Sequence, residues 1–323
     1  MSKSINELNA RISELYSKAE YQEVIRIFEK ESGDEVLDEV SFTIIAASYY
    51  QERKLDFAIK FYTEAIKINS YSSEAKNNLA VIYMEQADYA SAENIFLDLI
   101  KEDKSKIDPI INLANLYCHT ESYDKAIPFY QNALSLDPNN VTIKLRLAEI
   151  FFILENYDGS IEVCNSVINF DENNCNAYFQ AGKCFFEMSK FETAQKYFSK
   201  CIKINPLHAL AIQNLGTCFF KLGDTTTALK LYDEALELDP ANAQLLVNRG
   251  LVFFELAEAQ DAASAFSEAL QIDSENDLIR EYLLEAISQV DTEGLRSYIK
   301  FFDNYLPENV KALENLSNFY MKI

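Results

Sequence analysis

Residues 209–242 read ALAIQNLGTCFFKLGDTTTALKLYDEALELDPAN, and this stretch decides the fold. Ile212, Leu215, Gly216 and Phe219 recur at i, i+3, i+4 and i+7, the spacing of one helix face. Gly223 then supplies a stop, and Asp224 a side-chain cap for a second helix. Ala228, Tyr232, Ala235 and Leu236 return to helical spacing, and Pro240 closes the unit. Neither helix can bury its apolar stripe alone, so the pair needs neighbours.

Moved along the chain in steps of 34 residues, the pattern finds them. Ala235 aligns with Ala65, Leu99, Ala133, Val167, Cys201 and Ala269, and Tyr232 with Tyr62, Phe96, Tyr130, Cys164, Phe198 and Phe266. Ala228 aligns with Ala58, Ala92, Ala126, Ser160, Ala194 and Ala262, and Phe219 with Tyr49, Tyr83, Tyr117, Phe151, Phe185 and Phe253. Pro138 and Pro206 repeat Pro240. A chance amphipathic bundle would not hold several sites in one register. This helix–turn–helix resembles the tetratricopeptide repeat (TPR) over nearly the whole chain. The resemblance implies an all-α fold: a right-handed α-solenoid superhelix of antiparallel helix pairs, whose first helices line a concave groove.

The organisation expected is a leader at 1–4, a degenerate N-terminal repeat at 5–38, seven repeats over 39–276, an irregular repeat at 277–309 and a final helix at 310–323. In the first repeat Leu8, Ile12 and Leu15, then Tyr21, Val24 and Phe28, form the two stripes, and Glu31–Glu35 is the turn that follows. Asp108 and Pro109 read as a cap and a first helical residue. Pro128 lies inside a second helix and should bend it slightly. Residues 141–174 carry Ser160, Cys164 and Val167 at signature sites, so a softer segment or a change of curvature is expected there. Asp291–Gly294 mark the turn of the irregular repeat, followed by a stripe of Leu295, Tyr298, Ile299 and Phe302. Leu313, Leu316, Phe319 and Tyr320 keep the final helix apolar on one side, which suggests that more protein, or another subunit, follows.

Lys and Arg number 29 against 51 Asp and Glu, a net charge of −22. Nucleic-acid backbones and anionic membranes both need clustered cations, so neither is an expected partner. The charge is read as solvation of the outer helix faces, with an acidic face for a basic partner as the alternative. None of the six cysteines forms a C-x-x-C pair. All six are read as small core hydrophobes in a reducing, cytoplasmic compartment. No apolar run is long enough to cross a membrane. His119 and His208 have no metal-ligand neighbours at a useful sequence spacing, and no phosphate loop or nucleophile elbow appears. A non-enzymatic chain without cofactor or metal is expected.

The resemblance also implies which positions face a ligand: 2, 5, 6, 9, 12 and 13 of each repeat. The sixth carries Asn78, Asn112, Gln180, Asn214 and Asn248, with Asn315 in the last helix; Ala10, Ile44, Arg146 and Tyr282 interrupt the row. A primary amide both donates and accepts, which suits a peptide backbone. Helices pack about 8–10 Å apart and an extended chain advances roughly 3.3 Å per residue. One rung therefore meets about every third ligand residue. The row is similar to the asparagine ladder of O-GlcNAc transferase TPR domains and to the asparagine contacts of TPR receptors for short peptide signals. Asparagine before Leu-Gly is also frequent in TPR sequences for no ligand-related reason, and both readings stay open. Tyr50, Phe152, Phe186, Phe220 and Phe254 occupy the twelfth position, either as an apolar platform or as packing against the second helix. The fifth position holds no lysine, against the carboxylate clamp of chaperone-binding TPR domains. Arg146 and Lys183 would make at most a local anion site. The leading reading is a scaffold that binds an extended or helical segment of a partner protein. The alternatives are the substrate-recruiting arm of a larger enzyme, such as an O-GlcNAc-type glycosyltransferase or a TPR-containing protease, and a subunit that self-associates through its helix edges.

Overall fold

The computed structural model describes residues 3–31 and 37–290. It is helical throughout, with no strand among the described residues. The helices are α1 (Lys3–Ser17), α2 (Tyr21–Glu31), α3 (Glu39–Gln51), α4 (Leu55–Ile68), α5 (Ser73–Glu85), α6 (Tyr89–Glu102), α7 (Ile107–His119), α8 (Tyr123–Leu136) and α9 (Val141–Ile153). They continue as α10 (Tyr157–Phe170), α11 (Cys175–Glu187), α12 (Phe191–Ile204), α13 (Ala209–Lys221), α14 (Thr225–Leu238), α15 (Ala243–Glu255), α16 (Ala259–Ile272) and α17 (Asp277–Ser288). This is the all-α solenoid arrangement of stacked helix pairs.

The chain divides into two compact units, Met1–Ile143 and Lys144–Ile323, and the division falls within α9. In the first unit Ile12, Val24, Leu37, Ile45, Tyr49 and Tyr62 belong to one continuous core. In the second, Phe198 with Leu215, Tyr232 with Leu245, and Phe266 with Leu283 build successive core layers. The first helices of successive pairs touch, α3 with α5 and α5 with α7 in one unit, α11 with α13 and α13 with α15 in the other. Successive second helices make no comparable contact among the described residues.

The packing explains the signature residues. Ala58, Ala92, Ala126, Ala194, Ala228 and Ala262 are fully buried where paired helices cross. A methyl group on Gly182, Gly216 or Gly250 would lie 2.7, 2.8 or 2.6 Å from the ring of Phe198, Tyr232 or Phe266. Those glycines admit an aromatic ring from the second helix against the backbone of the first. Ser160 departs from the small apolar pattern, yet its buried hydroxyl donates to the Ala148 carbonyl at 2.8 Å.

The turns repeat as strictly as the core. Ala19, Arg53, Ala87, Glu121, Glu155, Ser189, Gly223 and Ala257 all have left-handed φ between 53° and 86°, at one repeat position. Each ends a first helix in the same way. At Gly223 the amide donates to the Phe220 carbonyl at 3.0 Å and the Asp224 amide to the Phe219 carbonyl at 2.9 Å, a Schellman pair. Asp224 then accepts from the Thr227 amide at 3.0 Å and caps α14.

Three expectations are corrected. The helix at Asp108 starts earlier: Lys106 is the N-cap and Asp108 lies inside the first turn of α7. Pro109 is tolerated there because amides of the first turn have no intrahelical partner. Cys175 and Cys201 are not two isolated core hydrophobes but a disulfide. His208 is not remote from other ligand-type side chains, since it adjoins both sulfurs. The antiparallel pair causes both, by bringing the start of α11 to the end of α12. α8 runs unbroken through Pro128. The Glu31–Glu35 turn from residue 32 on, the leader to residue 2, and the readings of Asp291–Gly294, the stripe after it, Asn315 and the final helix lie outside the described residues.

Candidate functional site

The amide row follows the sixth residue of the first helices, and each unit carries its own part. In the first unit Asn78 and Asn112 are half-buried. Asn112 donates through Nδ2 to Oδ1 of Asn77 at 3.0 Å, so α7 and α5 are joined through their amides. Asn78 shares a hydrogen bond with the Tyr62 hydroxyl. Burial pushes that phenol well above the usual tyrosine range. Neither amide is fully engaged by these bonds, because each offers four hydrogen-bonding positions.

In the second unit the row is Gln180, Asn214 and Asn248. Asn214 donates back to the Leu210 carbonyl of its own helix at 2.7 Å, and Asn248 accepts from Gln244 Nε2 at 3.0 Å. Gln180 differs. It is only 6% exposed, and its Nε2 has no hydrogen-bond partner. A buried, unmet amide donor costs about 1–3 kcal/mol.

The flanking cations are already occupied. Arg146 is exposed and pairs with Glu149 on its own helix at 3.0 Å. The Lys183 ammonium lies 4.4 Å from the ring centroid of Phe152 and 5.6 Å from that of Phe179. Phe186, Phe220 and Phe254 are half-buried against successive core layers. Phe186 meets the Phe191 ring edge-on at 5.3 Å and Phe152 meets the Tyr157 ring at a tilt at 5.6 Å, so these two lean on the second helix of their own pair.

Five of the six cysteines fall into two groups. Burial pushes Cys164 and Cys218 up to about 12 and also raises Cys184, which leaves them inert core side chains. Cys175 and Cys201 join with His208 in a cluster whose three ligand atoms lie within 4.8 Å of one another. No sequence motif exposes it, because its members stand 26 and 7 residues apart. His208 caps α13, accepting through Nδ1 from the Ala211 amide at 3.1 Å.

Profiles of the tetratricopeptide repeat match residues 49–116, 110–140, 179–243 and 214–277, together more than half of the chain. The chain belongs to the tetratricopeptide repeat family. Solved TPR structures share the fold. The C-terminal part of a TPR repeat-containing protein from Cytophaga hutchinsonii superposes with a TM-score of 0.64 at 16% identity, covering 74% of this chain and 98% of its own. A TPR protein from Parabacteroides merdae gives 0.59 at 17% identity, covering 77% and 98%. A chain of the APC/C hetero-tetramer Cut9-Hcn1 gives 0.56 at 17% identity, covering 86% of this chain and 55% of its own. At these identities the likeness establishes the fold alone. A search of curated proteins finds no match. Among the described residues no helix of this TPR chain is long and apolar enough to cross a membrane.

Proposed function

We propose that this TPR chain is a non-catalytic scaffold that holds a segment of a partner protein along its first helices through the amide row. The observation that carries this reading is Gln180, a buried amide whose Nε2 lacks a partner at a row position. A carbonyl from a bound backbone would relieve that donor once the side chain turns out of its buried position. Asn214 and Asn248, one and two repeats further on, would add rungs, and Asn78 with Asn112 would do the same in the first unit. The half-buried rings of Phe186, Phe220 and Phe254 would add apolar contact. A partner of protein or peptide type also fits the net charge of −22, which repels nucleic acid and anionic lipid alike. A cytoplasmic setting is part of the proposal, and there the Cys175–Cys201 bond would stand reduced.

Each net hydrogen bond adds only about 0.5–1.5 kcal/mol, so the rungs must act together. Peptides selected on the wild-type chain should bind the triple variant Gln180→Ala, Asn214→Ala, Asn248→Ala at least about tenfold more weakly. Helical circular dichroism should change little. Equal affinity for both proteins would remove the amides from the binding function.

A further inference from the structure

We propose that Cys175, Cys201 and His208, once the sulfur–sulfur bond is reduced, bind one zinc-class cation at the end of the α11–α12 pair. The three come from different places: the first residue of α11, the last turn of α12 and the N-cap of α13. Their ligand atoms lie within 4.8 Å of one another. A tetrahedral site with metal–sulfur bonds of about 2.3 Å and metal–nitrogen bonds of about 2.0–2.1 Å needs donors roughly 3.5–3.8 Å apart. That spacing falls inside the cluster once the sulfurs separate. Two sulfurs and an imidazole, with no carboxylate, select zinc or cuprous copper over magnesium or calcium. Three protein donors leave the fourth position to water.

The register shows that these residues are not the ordinary furniture of a repeat. Where Cys175 stands, the next two repeats carry Ala209 and Ala243; where Cys201 stands, others carry Ala133, Ala235 and Ala269. At the His208 position Asn140, Asn174, Asn242 and Asn276 cap their helices and donate to Asp137, Asp171, Asp239 and Asp273. Asn205 replaces that aspartate in the repeat that has histidine. Three departures from the repeat therefore meet at one corner. Cys201 is fully buried, while Cys175 and His208 are partly exposed and give a cation its way in.

Binding changes the cap. If Nδ1 binds the cation, it gives up the lone pair that accepts from Ala211. If Nε2 binds, the imidazole proton moves to Nδ1, which can then no longer accept. Either way the Ala211 amide loses the imidazole and keeps the His208 carbonyl at 2.9 Å, a small loss against two metal–thiolate bonds.

The test uses the full chain and a water-soluble phosphine as reductant. Phosphorus takes the oxygen of water and becomes a phosphine oxide, the sulfur–sulfur bond takes two electrons, and each sulfur takes one proton. The cation then displaces both protons. Cobalt(II) is the first probe: reduced protein should develop thiolate charge-transfer and d–d absorption that saturates at one equivalent, and oxidised protein should not. The double variant Cys175→Ala, Cys201→Ala should lose these bands. His208→Asn keeps a cap of the type other repeats use, and should weaken zinc binding by at least about tenfold in chelator competition. Zinc should also shift the Ala211 amide resonance of the reduced wild type. The proposal fails if reduced wild type binds no stoichiometric cobalt, if the double variant keeps the bands, or if His208→Asn binds zinc unchanged.

Discussion

At Gly223 the backbone sits at φ 86°, and a methyl group added there would meet nothing within 4 Å. Any effect of substitution is therefore conformational. Gly223→Ala should lower stability by about 1 kcal/mol, the cost of left-handed backbone for a residue with a Cβ. The reverse exchange, Ala87→Gly, should recover part of that strain, up to about 1 kcal/mol. Thermal melts of the two variants decide it: opposite shifts are expected, and shifts of the same sign would refute the strain account. The left-handed turn was legible at Gly223 because glycine favours it. It was not legible at Arg53, Glu121 or Ser189, where nothing local marks it and the Schellman bonds impose it. Gly182, Gly216 and Gly250 share one repeat position, and the rings that need their space give the reason.

At the scale of the helix, the caps set the response to acid. Hydrogen bonds from the Thr227 amide and hydroxyl hold the Asp224 carboxyl below the usual aspartate range, and the Ser91 hydroxyl and amide do the same for Asp88. A lowered folded-state pKa means that the contribution is complete above the ordinary value of about 3.9 and fades as pH falls through the lowered one. Asp224→Ala should thus melt below the wild type at neutral pH, and the gap should narrow in strong acid. A gap independent of pH would assign the loss to something other than the carboxylate. An asparagine cap bears no charge of its own, and Asn156→Ala, at the start of α10, should cost about 1 kcal/mol across the same range. Helix order was readable because small and aromatic residues recur where paired helices cross. The start of α7 was misread because Asp108 and Pro109 are equally at home inside a first turn. The Cys175–Cys201 contact was hidden because antiparallel geometry, not sequence spacing, brings those residues together.

For the whole molecule, 51 acidic against 29 basic side chains make self-repulsion the dominant long-range field. The ion pairs along the surface are mostly exposed, as Arg146–Glu149 and Lys67–Glu64 are, and such pairs add little. Raising salt from 0.01 to about 0.15 M shortens the Debye length from about 30 to about 8 Å. Melting temperature should rise with it, and a fall would mean that attractive pairs outweigh the repulsion. The class of fold was legible at this scale because the period and its recurring small and aromatic sites resemble the TPR. The amide row was legible only as a list of positions. Which amides bond to their own helix, as Asn214 does, and which stays unmet, as Gln180 does, depends on rotamers that no spacing records. The recurring left-handed corner has one more implication. Among the described residues, seven of the eight such corners carry a side chain rather than glycine, among them a guanidinium, carboxylates and a hydroxyl. The hinge geometry is thereby uncoupled from surface chemistry, so natural variation can repaint that edge of the molecule, charge by charge, without re-bending a single helix pair.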